Sequence, residues 1–215
     1  EDRLPDLPRT IYPLMPESDN FECETLQMQW NTIHPPIEPI YSLTERFGYL
    51  RLYTREEVMN EICLPSFVGR RQRHKVFLAR TAMEFTPAAE NEEAGIALVQ
   101  DDRFHYLMVL TQKNGKLVLQ AYKTENGIKS LLAETEVRDT KRIYLSVQGN
   151  TTDYDFYYGH NDQEMIPLIR GLKASLLSSV INNGFTGTYI GMYTSSNHHS
   201  STNHADFDWF NYQGE

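Results

Sequence analysis

Acidic clusters, a histidine-rich loop and a set of aromatic residues are the parts of this 215-residue chain whose types and spacing could do chemistry. Hydrolysis of a glycosidic bond needs two carboxylates facing each other across a cleft, and no such pair stands out. Glu90, Glu92 and Glu93 fall in Pro87-Ala88-Ala89-Glu90-Asn91-Glu92-Glu93, which reads as a solvated loop. Asp206 and Asp208 lie two apart in a strand pattern and so share one face of it. They could take a hard cation such as calcium, whose ligands are carboxylate and carbonyl oxygens. The favoured reading is plainer: acids at a sheet edge, or bonded to a neighbouring loop. His198, His199 and His204 share one Ser/Asn-rich loop, but their spacing matches no zinc signature and flexible loops seldom preorganise ligands. No Gly-rich phosphate loop, nucleophile elbow or Cys-His pairing is present, so beyond the calcium option the sequence implies no cofactor.

Aromatic residues are the better chemical clue. Sugars present flat C–H faces that stack on Tyr, Trp and Phe, and their hydroxyls need Asn, Asp, Gln or Arg partners at the rim. Trp30, Tyr41, Phe104, Tyr106, Phe185 and Trp209 fall in turns or at strand ends and are candidate platforms. For each one taken singly, packing in the core is the safer expectation.

These residues must be positioned by strands. Strand patterns mark 48–53, 74–85, 94–99, 105–111, 116–123, 142–147, 154–158, 174–177, 189–193 and 207–212. Turn chemistry such as Asn114-Gly115 and Asn126-Gly127 separates them. In 75–85 the face with Phe77, Ala79, Met83 and Phe85 should be core, with Arg80 and Glu84 pointing away. In 205–212, Phe207, Trp209 and Asn211 should oppose Asp206, Asp208 and Phe210. Helix signals are confined to Arg55–Asn60 and a stretch near Ile169–Lys173. Ten or so short strands predict an all-β sandwich or barrel, and no repeat of roughly 20 to 50 residues points to a propeller or solenoid.

Composition narrows the partners. A net charge of -9 repels phosphate backbones and gives no electrostatic case for nucleic acid. The one basic run, Arg70-Arg71-Gln72-Arg73-His74-Lys75, continues into a strand pattern and reads as charges along that strand. No apolar run approaches the roughly 18 residues that would span a membrane. Cys23 and Cys63 fit no metal spacing; a disulfide is one option, buried free thiols the favoured one. The Pro-rich start, without an initiator Met, reads as an extended linker over residues 1–17 before one domain over 18–215, as if cut from a longer protein.

An ordered set of segments carries a resemblance. Leu26…Trp30-Asn31, Gly48-Tyr49-Leu50-Arg51-Leu52, Gly69-Arg70-Arg71-Gln72-Arg73-His74 and Glu92-Glu93-Ala94-Gly95-Ile96 come first. Phe156-Tyr157-Tyr158, Gly184-Phe185-Thr186-Gly187, Ile190-Gly191-Met192 and Ala205-Asp206-Phe207-Asp208-Trp209-Phe210 follow. Together they resemble the C-terminal concanavalin A-like domain that follows the five-bladed catalytic propeller in β-xylosidases of glycoside hydrolase family 43. The resemblance implies a jelly-roll sandwich of two antiparallel sheets, packed on a propeller that holds the acid, the base and the pKa-modulating carboxylate for inverting hydrolysis of xylosides or arabinosides. It also implies a sandwich loop that puts a phenylalanine at the mouth of the sugar pocket. Phe185, between two glycines, best matches that position, and Arg70, Arg71, Gln72 and His74 would face the domain interface. The Gly-x-x-Trp that the family usually has after Phe156-Tyr157-Tyr158 is replaced here by Gly159-His160-Asn161-Asp162.

The expected function is therefore a non-catalytic accessory domain of a xylosidase or arabinofuranosidase in xylan breakdown. Its partners would be the propeller and a xylo-oligosaccharide or arabinoside. The alternative is a stand-alone carbohydrate-binding lectin, and a sandwich glycosidase in its own right ranks last.

Overall fold

The structure, a computed structural model, describes residues 15–138, 141–182 and 186–215. Its strands, in chain order, are β1 (Ser18–Asp19), β2 (Tyr41–Ser42), β3 (Leu50–Tyr53), β4 (Ser66–Arg71), β5 (Val76–Glu84), β6 (Glu93–Asp101) and β7 (Phe104–Lys113). They continue as β8 (Lys116–Glu125), β9 (Ile128–Glu136), β10 (Ile143–Asn150), β11 (Asp153–Gly159), β12 (Ile166–Lys173), β13 (Tyr189–Ser195) and β14 (His204–Gly214). They form two antiparallel sheets. The larger runs β12-β11-β10-β5-β14-β3-β2 with β1 added beside β14, and the smaller runs β4-β13-β6-β7-β8-β9. The all-β sandwich expected from the alternation is the observed fold. No helix among the described residues is long and apolar enough to cross a membrane.

The core lies between the sheets. Phe77, Ala79 and Met83 of β5 meet Ile96 and Leu98 of β6, Met108 and Leu110 of β7, and Leu145 and Val147 of β10, all nearly or fully buried. Truncating a fully buried ring such as Phe207 to alanine would cost about 3–5 kcal/mol. A second cluster, Met59, Phe67, Ala97, Val99, Leu107, Val109 and Tyr193, covers the other face of the smaller sheet. Residues of β6 are thus buried on both faces, which explains an apolar run where alternation would otherwise show. Two glycines let β4 and β13 approach: Gly191 pairs with Gly69, and a Cβ at residue 191 would lie 2.3 Å from the Gly69 Cα. Both Asn-Gly turns have positive φ at both residues, 51° and 74° at Asn114-Gly115 and 54° and 80° at Asn126-Gly127, as two-residue hairpins of the primed types require.

Several local expectations are corrected. Arg55–Asn60 forms bends and a turn rather than a helix, because Met59 is drawn into the second cluster. Ile169–Lys173 belongs to β12, paired with β11 through a bulged register, and Ala174–Leu177 is a single 3-10 turn that buries Leu176 and Leu177. In β14 a bulge at Asp208 shifts the register on β5 between Phe207 and Trp209. Phe207, Phe210 and Tyr212 therefore join the core, whereas Trp209 and Asn211 are only half-buried on the outward face. Glu92 and Glu93 are buried, not solvated. Both cysteines are free, and Cys23 is exposed.

Candidate functional site

Of the residues assigned to a domain interface, Gln72 and His74 lie in one open groove at an end of the sandwich, about 700 Å3 in volume. The connection between β4 and β5 forms one wall, the turn at Thr151 and Thr152 another, and Thr186, Gly187 and Thr188 a third. Buried aromatic groups hold the first wall in place. The Tyr154 hydroxyl donates to Gln72 Oε1 at 2.8 Å, and Gln72 Nε2 donates to the His74 carbonyl at 3.0 Å. The Tyr212 hydroxyl accepts from the backbone N–H groups of Arg73 and His74 at 3.0 and 3.1 Å, and its ring stacks on Phe77. A hydrogen bond from the Gln72 N–H to the Thr188 carbonyl, 2.9 Å, ties the first wall to the third. Burial pushes the Tyr154 phenol above its ordinary range, so the hydroxyl remains a donor to Gln72. Amide, hydroxyl, imidazole and ammonium groups line the groove, a chemistry suited to binding sugar hydroxyls.

Arg70 and Arg71 do not join this groove. Arg70 is buried, donates from Nη1 to the Pro16 carbonyl at 2.9 Å and lies over the Tyr212 ring, and burial lowers its pKa. Arg71 is exposed and packs on Tyr189, donating to its hydroxyl at 2.9 Å. Phe185 lies outside the described residues, while Thr186 and Gly187, which follow it, line the groove.

The acids have structural partners. Asp206 accepts from Arg51 Nε at 2.7 Å and from Arg46 Nη1 at 2.8 Å, and Asp208 pairs with Arg142 Nη1 at 2.8 Å. Glu84 binds both Arg46 and Arg142 at 2.8 Å. Burial alone would raise the Asp206 carboxyl, but the hydrogen bonds from Arg51 and Arg46 outweigh it and hold the group below its ordinary range; Glu84 is held down in the same way by Arg46 and Arg142. Guanidinium groups thus occupy the oxygens that a calcium ion would need, and no group of three or more metal-ligating side chains gathers among the described residues. The run Glu17-Ser18-Asp19-Asn20-Phe21-Glu22 has the Glu-x-Asp-x-x-Glu spacing that strand-borne glycosidase carboxylates show, which composition and strand pattern alone did not single out. There the Asp19 oxygens accept from Trp30 Nε1 at 2.7 Å and from the Phe21 N–H at 2.9 Å, a structural use. Glu92 accepts from Ser201 at 2.6 Å and from Asn203 and the Ala88 N–H at 2.7 Å, so it pins the histidine-rich loop. His198 and His204 face Glu61 and Asp206 separately. Among the aromatic candidates, Trp30, Phe104 and Tyr106 are core residues, whereas Tyr41 and Trp209 are half-exposed. Sequence reading missed Tyr154 and Tyr212 as groove supports; their positions on core faces gave no sign that their hydroxyls reach its wall.

Comparison with known proteins adds the family. Residues 18–213 match the model of the β-xylosidase C-terminal concanavalin A-like domain. A non-reducing end α-L-arabinofuranosidase of Bacteroides ovatus is 35% identical over 98% of this chain and 39% of its own length. A β-xylosidase of Bacillus subtilis is 29% identical over 97% of this chain and 40% of its own. The solved structure of Bacteroides ovatus xyloglucan PUL GH43B superposes with a TM-score of 0.91 at 34% identity, covering 98% of this chain and 42% of that one. A family 43 protein of Bacillus licheniformis gives 0.90 at 27%, covering 99% and 42%. The chain spans about 40% of the length of the curated relatives it matches. It belongs to the family of concanavalin A-like domains found at the C-terminus of β-xylosidases.

Proposed function

We propose that this chain is a non-catalytic accessory domain of a larger family 43 glycoside hydrolase that cleaves β-xylosides or α-arabinofuranosides. The observation that carries the reading is the family match over 18–213 in a chain that spans about 40% of its relatives' length. The remaining length accommodates a catalytic propeller with the acid, base and modulating carboxylate. Against that propeller the sandwich would present the groove of Gln72 and His74, with Phe185 taking the pocket-closing role that the family resemblance gives it. An apolar ring there would exclude water and limit substrate length. The rigid support of the groove wall by Tyr154 and Tyr212 suits a surface that must hold a fixed position against a neighbour.

Kinetics of the complete polypeptide test this reading. Phe185→Ala is expected to lower kcat/KM on a short xyloside at least tenfold while leaving the melting temperature within a degree or so of the parent. An unchanged rate removes Phe185 from the pocket.

A further inference from the structure

The bulge at Asp208 turns Trp209 out of the core onto the open face of the larger sheet, and what surrounds it there is not explained by the groove. Outward residues of β5 and its neighbours form rows across the sheet. Arg80 of β5 pairs with Asn211 of β14, and Asn211 with Ser18 of β1; on the other side of Arg80, Ser146 of β10 is buried and the Asp162 carbonyl bonds Arg80, so the accessible row runs from Arg80 to Ser18. Three strands spaced by about 4.8 Å give this row a length of about 10 Å. Beside it Trp209 and Tyr144 flank Ala82, their rings 6.4 Å apart. Trp209, Arg80, Asn211, Gln213, Asn20, Ser18 and Leu78 enclose a hollow of about 330 Å3.

The hydrogen-bonding state of this hollow is telling. Arg80 donates from Nη2 to the Asp162 carbonyl, and Asn211 Nδ2 donates to Ser18 at 2.7 Å. Among the described residues the other Arg80 nitrogens, the Asn211 carbonyl oxygen and the amides of Asn20 and Gln213 have no side-chain partner. Planar donors and acceptors around a half-exposed indole, with no carboxylate in the lining, match a neutral sugar: C–H faces stack on the ring, and hydroxyls pair with amide and guanidinium groups. Resting on the accessory-domain reading for the choice of glycan, we propose that this face is a second glycan-binding surface, distinct from the groove of Gln72 and His74, and that its ligand is a neutral xylo-oligosaccharide segment lying beside Trp209 along the row from Arg80 to Ser18.

Titration calorimetry of the complete polypeptide with thio-linked xylotetraose, which resists hydrolysis, tests the proposal. Two sites per chain are expected. Trp209→Ala and Arg80→Ala should each weaken one site at least tenfold, while kcat/KM on an aryl xyloside stays within twofold. Loss of the catalytic rate on aryl glycosides would bear on the accessory-domain reading alone, because the surface is scored by binding. A single site unaffected by both substitutions would overturn the proposal. So would tighter binding of tetragalacturonate than of the xylan analogue, which would make the surface an anion site. A lower melting temperature of Trp209→Ala without a change in binding would also overturn it, placing a protein surface over the indole.

Discussion

The outward face of the larger sheet has two halves that differ in how their polar groups are spent. On β5 the side chains of Leu78, Arg80, Ala82 and Glu84 all point away from the core, as alternation dictates. At the Glu84 end, Arg46, Arg51 and Arg142 arrive from the loop before β3, from β3 and from the start of β10, and every carboxylate finds a guanidinium. At the Leu78 end the same strand meets the amides of Asn20, Asn211 and Gln213 and the Ser18 hydroxyl, which satisfy little of one another, while Trp209 and Tyr144 flank Ala82 between the two halves. A closed set of charges stabilises the sheet; an open set of planar polar groups beside an indole is free to bind something else. Fold position alone does not separate structural from functional residues here, whereas the partner count of each polar atom does.

Substitutions should break the two halves differently. The largest effect is expected from Asp206→Ala, which leaves Arg46 and Arg51 facing each other without their shared carboxylate. A loss of about 3 kcal/mol in chemical denaturation is predicted. A cost no greater than that of Arg80→Ala would erase the distinction between the halves.

Acid titration sharpens it next. His105 in β7 is buried, and burial lowers its pKa from 6.5 to about 4. The unfolded chain binds that proton first, so stability is complete above pH 6.5 and falls by about 3 kcal/mol as pH drops to about 4. Glu84 and Asp206 have folded values below their ordinary 4.5 and 3.8, so their contribution is present above pH 4.5 and is lost only as pH falls below that range. Unfolding free energy measured against pH should therefore show two limbs. His105→Gln should flatten the upper one, and Asp206→Ala should reduce the lower.

Smaller effects belong to the open half. Trp209→Ala should cost about 1 kcal/mol, since the indole is half-exposed and shields little beyond Ala82. Arg80→Ala should stay within about 0.5 kcal/mol, as is usual for surface positions outside a network. Larger losses, read from the same denaturation curves, would move these residues into the structural half.

Alternation made the central strands legible because both their neighbours and their buried face constrain them. Val76–Glu84 was readable on that ground, whereas Phe104–Lys113, buried along most of its length, shows as an apolar run. Edge strands were not. Ile128–Glu136 buries little and leaves Leu131 and Leu132 exposed, and Ile166–Lys173 carries Pro167 and a positive-φ Gly171 within a bulged pairing. The bulge at Asp208 is invisible in sequence because a single extra residue inverts the faces beyond it. The candidate site was legible in part: the backbone of the basic run Arg70–Lys75 sends Arg70 inward and Arg71 onto Tyr189, while Gln72, Arg73, His74 and Lys75 line the groove. Pairings such as Arg51 with Asp206 join residues far apart in the chain, and no local pattern announces them.

Hydrolysis of 4-nitrophenyl β-D-xylopyranoside and 4-nitrophenyl α-L-arabinofuranoside by the 215-residue chain alone, beside the complete polypeptide, tests the accessory-domain account most directly. The account predicts turnover by the complete polypeptide and none by the chain alone. Turnover by the chain alone that disappears on changing one of its own Glu or Asp residues would contradict it.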